Sequence, residues 1–199
     1  MPRALLFDLM GTVIHDPFRE AVEAATGLDL ETVIPLVHPS SWADFEIAAI
    51  DEATFTRAFY ADPQCPHAFD REVFHRVRRD GYRWLPGMQE LLAALGGVVE
   101  TYTASNYPVW VEELAQRFAF ADCFDGVYAS HHLGVRKPAP EFFDRLLARI
   151  GHDPGDCLFV DDRAENCVAA QAAGIRAHRF DGVDGLRHRL CAEGVHLST

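Results

Sequence analysis

Ala4-Leu5-Leu6-Phe7-Asp8 is a short apolar run that ends in a carboxylate, and Gly11-Thr12 follows shortly after it. An apolar run of this kind is typical of a strand buried on both faces of a parallel sheet, and it predicts a strand over Ala4–Leu9. Gly11 allows the backbone to turn sharply or to approach a ligand closely. Because ligands of open parallel sheets bind at the carboxyl ends of the strands, Asp8 lies where a nucleophile would be useful.

Further apolar runs recur along the chain, with helical stretches between them. They predict strands over Val98–Thr103, Val127–Ala129, Cys157–Val160 and Ile175–His178. The segments between them predict three helices. One covers Val109–Phe118 directly after Pro108, one covers Pro140–Ile150, and one begins at Asp162 and ends at Gly174. The alternation of strands and helices indicates an α/β fold, a doubly wound parallel sheet with helices on both faces.

The strand pattern disappears between Ile14 and about Leu85, and helical periodicity replaces it. We therefore expect an all-helical insertion between the first strand and the rest of the sheet. Leu85-Pro86-Gly87 is the expected point of return to the sheet.

Asp161 and Asp162 directly follow the predicted strand Cys157–Val160. Two adjacent unpaired carboxylates repel each other, and a bound cation is the simplest way to offset that repulsion. Magnesium prefers oxygen ligands. Asp8, the backbone carbonyl of Met10, Asp161 and Asp162 would supply them. The competing interpretation makes Asp162 a helix N-cap and Asp161 an ordinary loop residue.

Three further polar positions accompany these aspartates. Lys137 is the single lysine beside seventeen arginines, and it precedes Pro138. A compact ammonium at this place can balance the aspartates and the charge of a transferring phosphoryl group. Ser105 and Asn106 end the second predicted strand and can donate hydrogen bonds to an anion, although the same dipeptide also begins ordinary helices.

The order and spacing of Asp8, Ser105-Asn106, Lys137 and Asp161-Asp162 resemble the haloacid dehalogenase superfamily. The resemblance implies a Rossmann-like core over residues 1–13 and 86–199, a helical cap over residues 14–85, and a covalent intermediate on the nucleophile. It implies a magnesium-dependent phosphatase that acts on a small phosphorylated metabolite. The implied catalytic residues are Asp8, Ser105 and Lys137, the implied substrate-binding residues are Thr12, Ser105, Asn106 and Lys137, and the implied metal ligands are Asp8, Met10, Asp161 and Asp162. Among these, Asp162 is the stronger candidate for direct ligation, and Asp161 binds directly or through water.

Met10 departs from the pattern of the phosphatases in that superfamily, which carry a second aspartate there as acid and base. General acid–base help of this kind contributes roughly 10²–10⁴-fold, so we expect a slow phosphatase unless His15 or Asp16 replaces the missing acid. Two alternatives stay open: a metal-independent 2-haloacid dehalogenase, and a non-catalytic member that binds phosphate or a partner. A phosphonate hydrolase is excluded because it requires a lysine in the cap, and residues 14–85 contain none.

The composition and charge of the chain restrict the classes of partner that it is expected to bind. The chain has 199 residues, 49% of them apolar, and a formal net charge of −12. That charge disfavours nucleic acid and anionic membranes as partners. The N-terminal apolar run is too short for a signal peptide or a membrane span, and the five cysteines show no zinc-site spacing. We therefore expect a cytoplasmic protein, while its oligomeric state stays open.

Overall fold

A computed structural model describes residues 1–197. Within that range the chain forms one parallel sheet with the strand order β2-β1-β3-β4. The strands are β1 (Ala4–Phe7), β2 (Glu100–Thr103), β3 (Cys157–Asp161) and β4 (Arg176–Arg179). The first strand of the chain therefore lies inside the sheet, between β2 and β3. The prediction of an α/β fold with a parallel sheet is confirmed.

Both faces of the sheet are buried, which explains why its strands are apolar at consecutive positions. Leu5 and Phe7 of β1 pack in one hydrophobic cluster, whereas Ala4 and Leu6 pack in a second cluster on the opposite face. The strand β3 alternates in the same way. This alternation follows from the two-residue period of side chains along a strand, and it confirms the doubly wound arrangement.

The helices supply the two layers that cover the sheet. They are α1 (Phe18–Thr26), α2 (Leu30–Val33), α3 (Ser41–Glu46), α4 (Glu52–Arg57), α5 (Arg71–Gly81), α6 (Met88–Leu95), α7 (Val111–Arg117), α8 (Ser130–Leu133), α9 (Pro140–Ile150), α10 (Ala164–Ala172) and α11 (Val183–Ala192). Short 3-10 turns cover Ile34–Leu36, Phe120–Asp122 and Pro154–Asp156. The buried side chains of α9 and α10 contribute to one cluster, and those of α6, α7 and α11 contribute to the other.

Some predicted boundaries were wrong. The predicted strand Val127–Ala129 is not a strand: this part of the chain touches the edge of the sheet only through two isolated parallel bridges, Tyr102 to Gly126 and Ser105 to Ala129. Pro108 does not begin α7, which starts at Val111. Asp162 is not an N-cap, because α10 begins at Ala164. The strands β1 and β2 are also shorter than predicted.

The insertion after β1 is helical and contains α1 to α5. The chain enters and leaves it through two adjacent antiparallel segments: the His15 N–H donates to the Arg83 carbonyl, and the Leu85 N–H donates to the Val13 carbonyl, at 2.9 and 3.0 Å respectively. Paired entry and exit segments are what an inserted cap requires. The exact boundaries of the cap, residues 14–85, stay a prediction.

Among residues 1–197, no helix is both long and apolar enough to cross a membrane. The five cysteines are unpaired; Cys157 and Cys167 are buried, and Cys191 is exposed.

We predict that Phe143→Ala lowers the free energy of unfolding by about 3–5 kcal/mol, as is typical of large aromatic side chains in a core. Phe143 is fully buried in α9 and packs edge-to-face on Phe159, with 5.4 Å between the ring centroids. Urea unfolding measures the change. Val168→Ala is the control, since Val168 is 64% exposed and its truncation should stay within about 0.5 kcal/mol. Equal effects of the two substitutions would contradict the assigned packing.

Candidate active site

Neighbouring strands bring two aspartates to the same edge of the sheet. Phe7 of β1 pairs in register with Val160 of β3, so the residues that follow them, Asp8 and Asp161, emerge side by side. The Asp8 N–H also donates to the Val160 carbonyl at 2.9 Å, which continues the ladder by one position. The backbone pairing therefore places these two residues side by side.

Lys137 joins the two carboxylates. Its side chain is 1% exposed, and its Nζ lies 2.9 Å from Asp8 Oδ1 and 2.5 Å from Asp161 Oδ2. Burial alone would lower the pKa of Lys137, but the charges of Asp8 and Asp161 and their hydrogen bonds outweigh burial, so this pKa lies above its ordinary value. The ammonium is therefore charged, and it neutralises part of the acidic cluster.

Asn106 holds the backbone of Lys137 in place. Its Nδ2 donates to the Lys137 carbonyl at 2.8 Å, and its Oδ1 accepts from the Lys137 N–H at 2.7 Å. Asn106 follows β2 and Lys137 lies in the loop before α9, so this pair of bonds joins two parts of the chain that are 31 residues apart. Asn106 thus positions the lysine and also faces the cavity described below.

Asp161 is fully buried, and protein donors surround its carboxylate. Its Oδ1 accepts from the Arg163 N–H at 2.8 Å, and Asn166 Nδ2 lies 3.1 and 3.0 Å from its two oxygens. Lys137 adds a further hydrogen bond to Oδ2. These donors fix the orientation of the Asp161 carboxylate, which in turn holds Lys137.

Asp162 is half-buried and lies beside Gly11. A Cβ added at Gly11 would lie 2.9 Å from Asp162 Oδ2, and Gly11 has a positive φ of 79°. Glycine is therefore required here both for the turn and for the close approach of this carboxylate. Burial, followed by the charge of Asp161, raises the pKa of Asp162 above its ordinary value.

The acidic cluster fits a divalent cation. Asp8, Asp161 and Asp162 each offer one oxygen, and these atoms all lie within 4.8 Å of one another. Three carboxylates face one lysine, so the cluster has an excess of negative charge. Burial raises the pKa of Asp8 to about 6, although Lys137 opposes this rise. A magnesium ion, which prefers oxygen ligands, would offset the excess charge.

Ser105 and Thr12 are fully buried. Within the described part of the chain, neither hydroxyl oxygen has a hydrogen-bond partner, and neither residue belongs to the lining of the cavity beside Asp8. Their expected roles in binding a substrate stay predictions.

A cavity of about 340 Å³ opens directly onto Asp8. It is lined by Asp8, Met10, Gly11, Asp16, Phe18, Trp42, Glu46, Asn106, Tyr107, Arg136, Lys137, Asp162, Arg163 and Asn166. Asp16 reaches this cavity, whereas His15 pairs with Glu20 at 2.7 Å. Of the two proposed substitutes for the missing acid, the structure brings Asp16 to the site.

The sequence interpretation assigned no role to several of the lining residues. Arg136 directly precedes Lys137, and Arg163 directly follows Asp162, so their nearness to predicted site residues was a usable signal. Tyr107 follows Asn106 in the same way. For Glu46 the sequence left two interpretations open, a residue that faces a substrate or one that packs inside the insertion, and the structure brings it to the cavity.

Residues 2–174 match the family model described as haloacid dehalogenase-like hydrolase. Flavin mononucleotide hydrolase 1 from Arabidopsis thaliana is 34% identical over 195 residues, which cover 98% of this chain and 78% of that protein. A predicted HAD-like hydrolase from Porphyromonas gingivalis has a similar structure, with a TM-score of 0.76 at 22% identity, over 96% of this chain and 98% of that one. A HAD family enzyme from Bacteroides thetaiotaomicron, in complex with magnesium and inorganic phosphate, gives a TM-score of 0.71 at 21% identity, over 89% and 93% of the two chains.

The matched family model and the Arabidopsis relative show that this α/β protein is a hydrolase. The chain belongs to the haloacid dehalogenase-like hydrolase family.

We predict that Lys137→Met, measured without metal, lowers the free energy of unfolding by about 3–5 kcal/mol near pH 8, since it removes the cation from buried carboxylates. The loss should shrink towards pH 5. The folded-state pKa of Asp8 is already raised to about 6 with Lys137 present. Protonation of Asp8 therefore favours the folded state, and the penalty appears as the pH rises through about 6.

Urea unfolding in the presence of a chelator, at both pH values, measures this effect. Arg19→Met is the control, because Arg19 pairs with Glu31 on an exposed surface and its loss should change little at either pH. A loss for Lys137→Met that is the same at pH 5 and pH 8 would contradict the assigned charge balance.

Proposed function

We propose that the protein is a magnesium-dependent phosphatase that hydrolyses a small phosphorylated metabolite through an aspartyl-phosphate intermediate on Asp8. The observation that carries this proposal is the bridge from Lys137 to Asp8 and Asp161, with Asp162 beside them. Such a site combines a buried nucleophile, a fixed cation and spare oxygen ligands for a metal. These are the groups that phosphoryl transfer requires, because its catalysis consists mostly of positioning and charge stabilisation.

Each side chain has a definite task in this proposal. Asp8 attacks phosphorus through its carboxylate, which is ionised above a pH of about 6. Lys137 orients that carboxylate and neutralises charge on the phosphoryl oxygens. Asp161 holds Lys137, and Asn106 holds the lysine backbone.

Asp8, Asp162 and the Met10 carbonyl would hold magnesium, with Asp161 as a direct or water-mediated ligand. When bound, the ion would neutralise phosphoryl charge.

The cavity supports a substrate with an organic part of moderate size. Besides its charged residues it contains Phe18, Trp42 and Tyr107, and the Phe18 and Trp42 rings pack with 4.6 Å between their centroids. Aromatic faces at a wall suit a planar group in the substrate. Because the Arabidopsis relative is a flavin mononucleotide hydrolase, flavin mononucleotide is the first ester to test.

Met10 is the observation that favours a second candidate, a metal-independent 2-haloacid dehalogenase. Halide departure needs no proton, so that reaction tolerates a methionine beside the nucleophile. The adjacent Asp161 and Asp162 favour the phosphatase, since a metal-independent reaction gives no reason to gather excess negative charge. The cap boundaries at residues 14 and 85, the cytoplasmic location and the absence of nucleic-acid and membrane partners stay predictions.

We expect Asp8→Asn to abolish hydrolysis of phosphate esters while the fold is preserved, because an amide is nearly isosteric with the carboxylate but a poor nucleophile. Phosphate release from flavin mononucleotide and from p-nitrophenyl phosphate measures activity, and circular dichroism checks the fold. Asp144→Asn, an exposed aspartate of α9, is the matched control and should behave as the parent. More than trace activity in Asp8→Asn would rule out the covalent mechanism.

Asp162→Asn should weaken magnesium binding by at least 10-fold, since changes around a metal centre typically cost about 10–100-fold in affinity. Isothermal titration with magnesium chloride measures the affinity directly, without any need for turnover. Glu165→Gln is the control, because Glu165 is an exposed acid in the first turn of α10. Unchanged affinity in Asp162→Asn would remove this residue from the proposed ligand set.

A further inference from the structure

Glu46 is an unusual residue in this cavity. It is the last residue of α3, within the helical insertion, yet it is only 3% exposed and lines the same cavity as Asp8. Its Oε2 is buried and has no hydrogen-bond partner within the described residues. A buried carboxylate oxygen without a hydrogen-bond donor is costly. A bound substrate that donates a hydrogen bond to this oxygen would explain why the protein leaves it unpaired.

Contacts with the core fix the position of Glu46. Ser130 Oγ donates to its backbone carbonyl at 2.8 Å. Arg136 Nε lies 3.1 Å from Oε2 and forms an ion pair without the alignment of a hydrogen bond. Arg136 directly precedes Lys137, so the side chain of Glu46 is tied to the loop that carries the catalytic lysine.

The surroundings of Glu46 suit a group that exchanges protons near neutral pH. Burial raises its pKa to about 7. The charges of Arg136, Arg163 and Lys137 and the indole of Trp42 oppose this rise. Both protonation states are therefore accessible at neutral pH, which is the condition under which general acid–base catalysis is most effective.

We propose that Glu46 is the general acid and base of the reaction and takes the place of the carboxylate that Met10 lacks. The proposal rests on the phosphatase function proposed above. In the first step Asp8 bonds to phosphorus, the bond from phosphorus to the leaving oxygen breaks, and the proton of Glu46 moves to that oxygen. In the second step the Glu46 carboxylate takes a proton from water, the water oxygen bonds to phosphorus, and Asp8 leaves as a carboxylate.

Asp16 is the competing residue in the same cavity. Its Oδ1 accepts a hydrogen bond from the Phe18 N–H at 3.0 Å, which ties the carboxylate to the start of α1. Burial also raises the pKa of Asp16, with His15 and Glu20 beside it. The Asp16 carboxylate is thus held by an aligned backbone hydrogen bond, whereas Glu46 Oε2 has the ion pair with Arg136 but no aligned hydrogen bond.

The second competing interpretation is structural. The ion pair of Glu46 and Arg136 links α3 to the loop before Lys137, so it could serve only to hold the insertion against the core. Loss of such a link would change substrate affinity or stability. It would not change the dependence of the rate on the leaving group, nor the alkaline side of the pH profile.

The test compares Glu46→Gln with the parent on two esters, an alkyl phosphate and p-nitrophenyl phosphate. For the alkyl ester kcat/KM should fall by roughly 10²–10⁴-fold, because its leaving oxygen needs a proton. For the aryl ester the first step needs little protonation. Rapid mixing should therefore show a burst of nitrophenol, close to one per active site, followed by slow turnover as water attack loses its base.

The pH profile gives an independent readout. In the parent, kcat/KM for the alkyl ester should decline as the pH rises through about 7, because Glu46 loses the proton that it must donate. Glu46→Gln should lack that decline. In the Glu46→Gln background, Met10→Asp should restore turnover of the alkyl ester, since it supplies a carboxylate beside the nucleophile.

Glu52→Gln is the matched control. Glu52 lies in the same insertion, where its Oε1 accepts from Trp110 Nε1 at 3.0 Å, and it is not among the residues that line the cavity within the described chain. This substitution should leave the leaving-group dependence and the pH profile unchanged. Circular dichroism and urea unfolding check the fold of every variant.

The outcomes separate the two proposals. If the parent hydrolyses esters through Asp8 but Glu46→Gln shows equal losses on both esters, no burst and an unchanged pH profile, Glu46 has only a structural role. If it is Asp16→Asn that shows the burst and no longer shows the decline of kcat/KM at alkaline pH, Asp16 is the acid and base. If Asp8→Asn keeps the parental activity, the proposed function itself fails, independently of Glu46.

Discussion

The interaction on which the site depends is the hydrogen-bonded bridge from Lys137 Nζ to Asp8 and Asp161. Two ionised carboxylates at the ends of adjacent strands are costly to bury together unless a cation lies between them. Lys137 supplies that cation from a loop distant in sequence, and Asn106 fixes the backbone of the loop. Asn166 and the Arg163 N–H then complete the set of hydrogen-bond donors around the Asp161 carboxylate. Asp8 is thereby held by backbone pairing with β3 and by the charge of Lys137.

The core leaves one requirement of the proposed phosphoryl transfer unmet. In that proposal it supplies a nucleophile, a cation and oxygen ligands, but the side chain of Met10 can neither donate nor accept a proton. The helical insertion brings two carboxyl groups, Asp16 and Glu46, to the same cavity. If Glu46 is the acid and base as proposed, proton transfer depends on the position of the insertion, which Arg136 and Ser130 of the core hold through Glu46.

Much of this site could be predicted from the sequence, because strand-end positions follow from simple rules. Asp8 and Asp161 each follow an apolar run, and parallel pairing brings such positions together. Lys137 was recognisable as the single lysine, next to a proline. The strand at Val127–Ala129 was predicted wrongly. A short apolar run at the edge of a sheet can form its backbone hydrogen bonds through isolated bridges, without becoming a regular strand. The sequence left open whether Glu46 faces a substrate or the interior of the insertion, because its position depends on how α3 packs, which no local pattern encodes.

The central claim is that Asp8 carries the phosphoryl group during the reaction. Acid quenching of the parent protein during turnover of p-nitrophenyl phosphate, followed by mass spectrometry of its peptides, tests this claim most directly. We predict that the peptide containing Asp8 gains the mass of one phosphoryl group, and that slowing the second step with Glu46→Gln increases the fraction modified. Active turnover with an unmodified Asp8 peptide in both proteins, under conditions in which a synthetic acyl phosphate survives the quench, would contradict the claim.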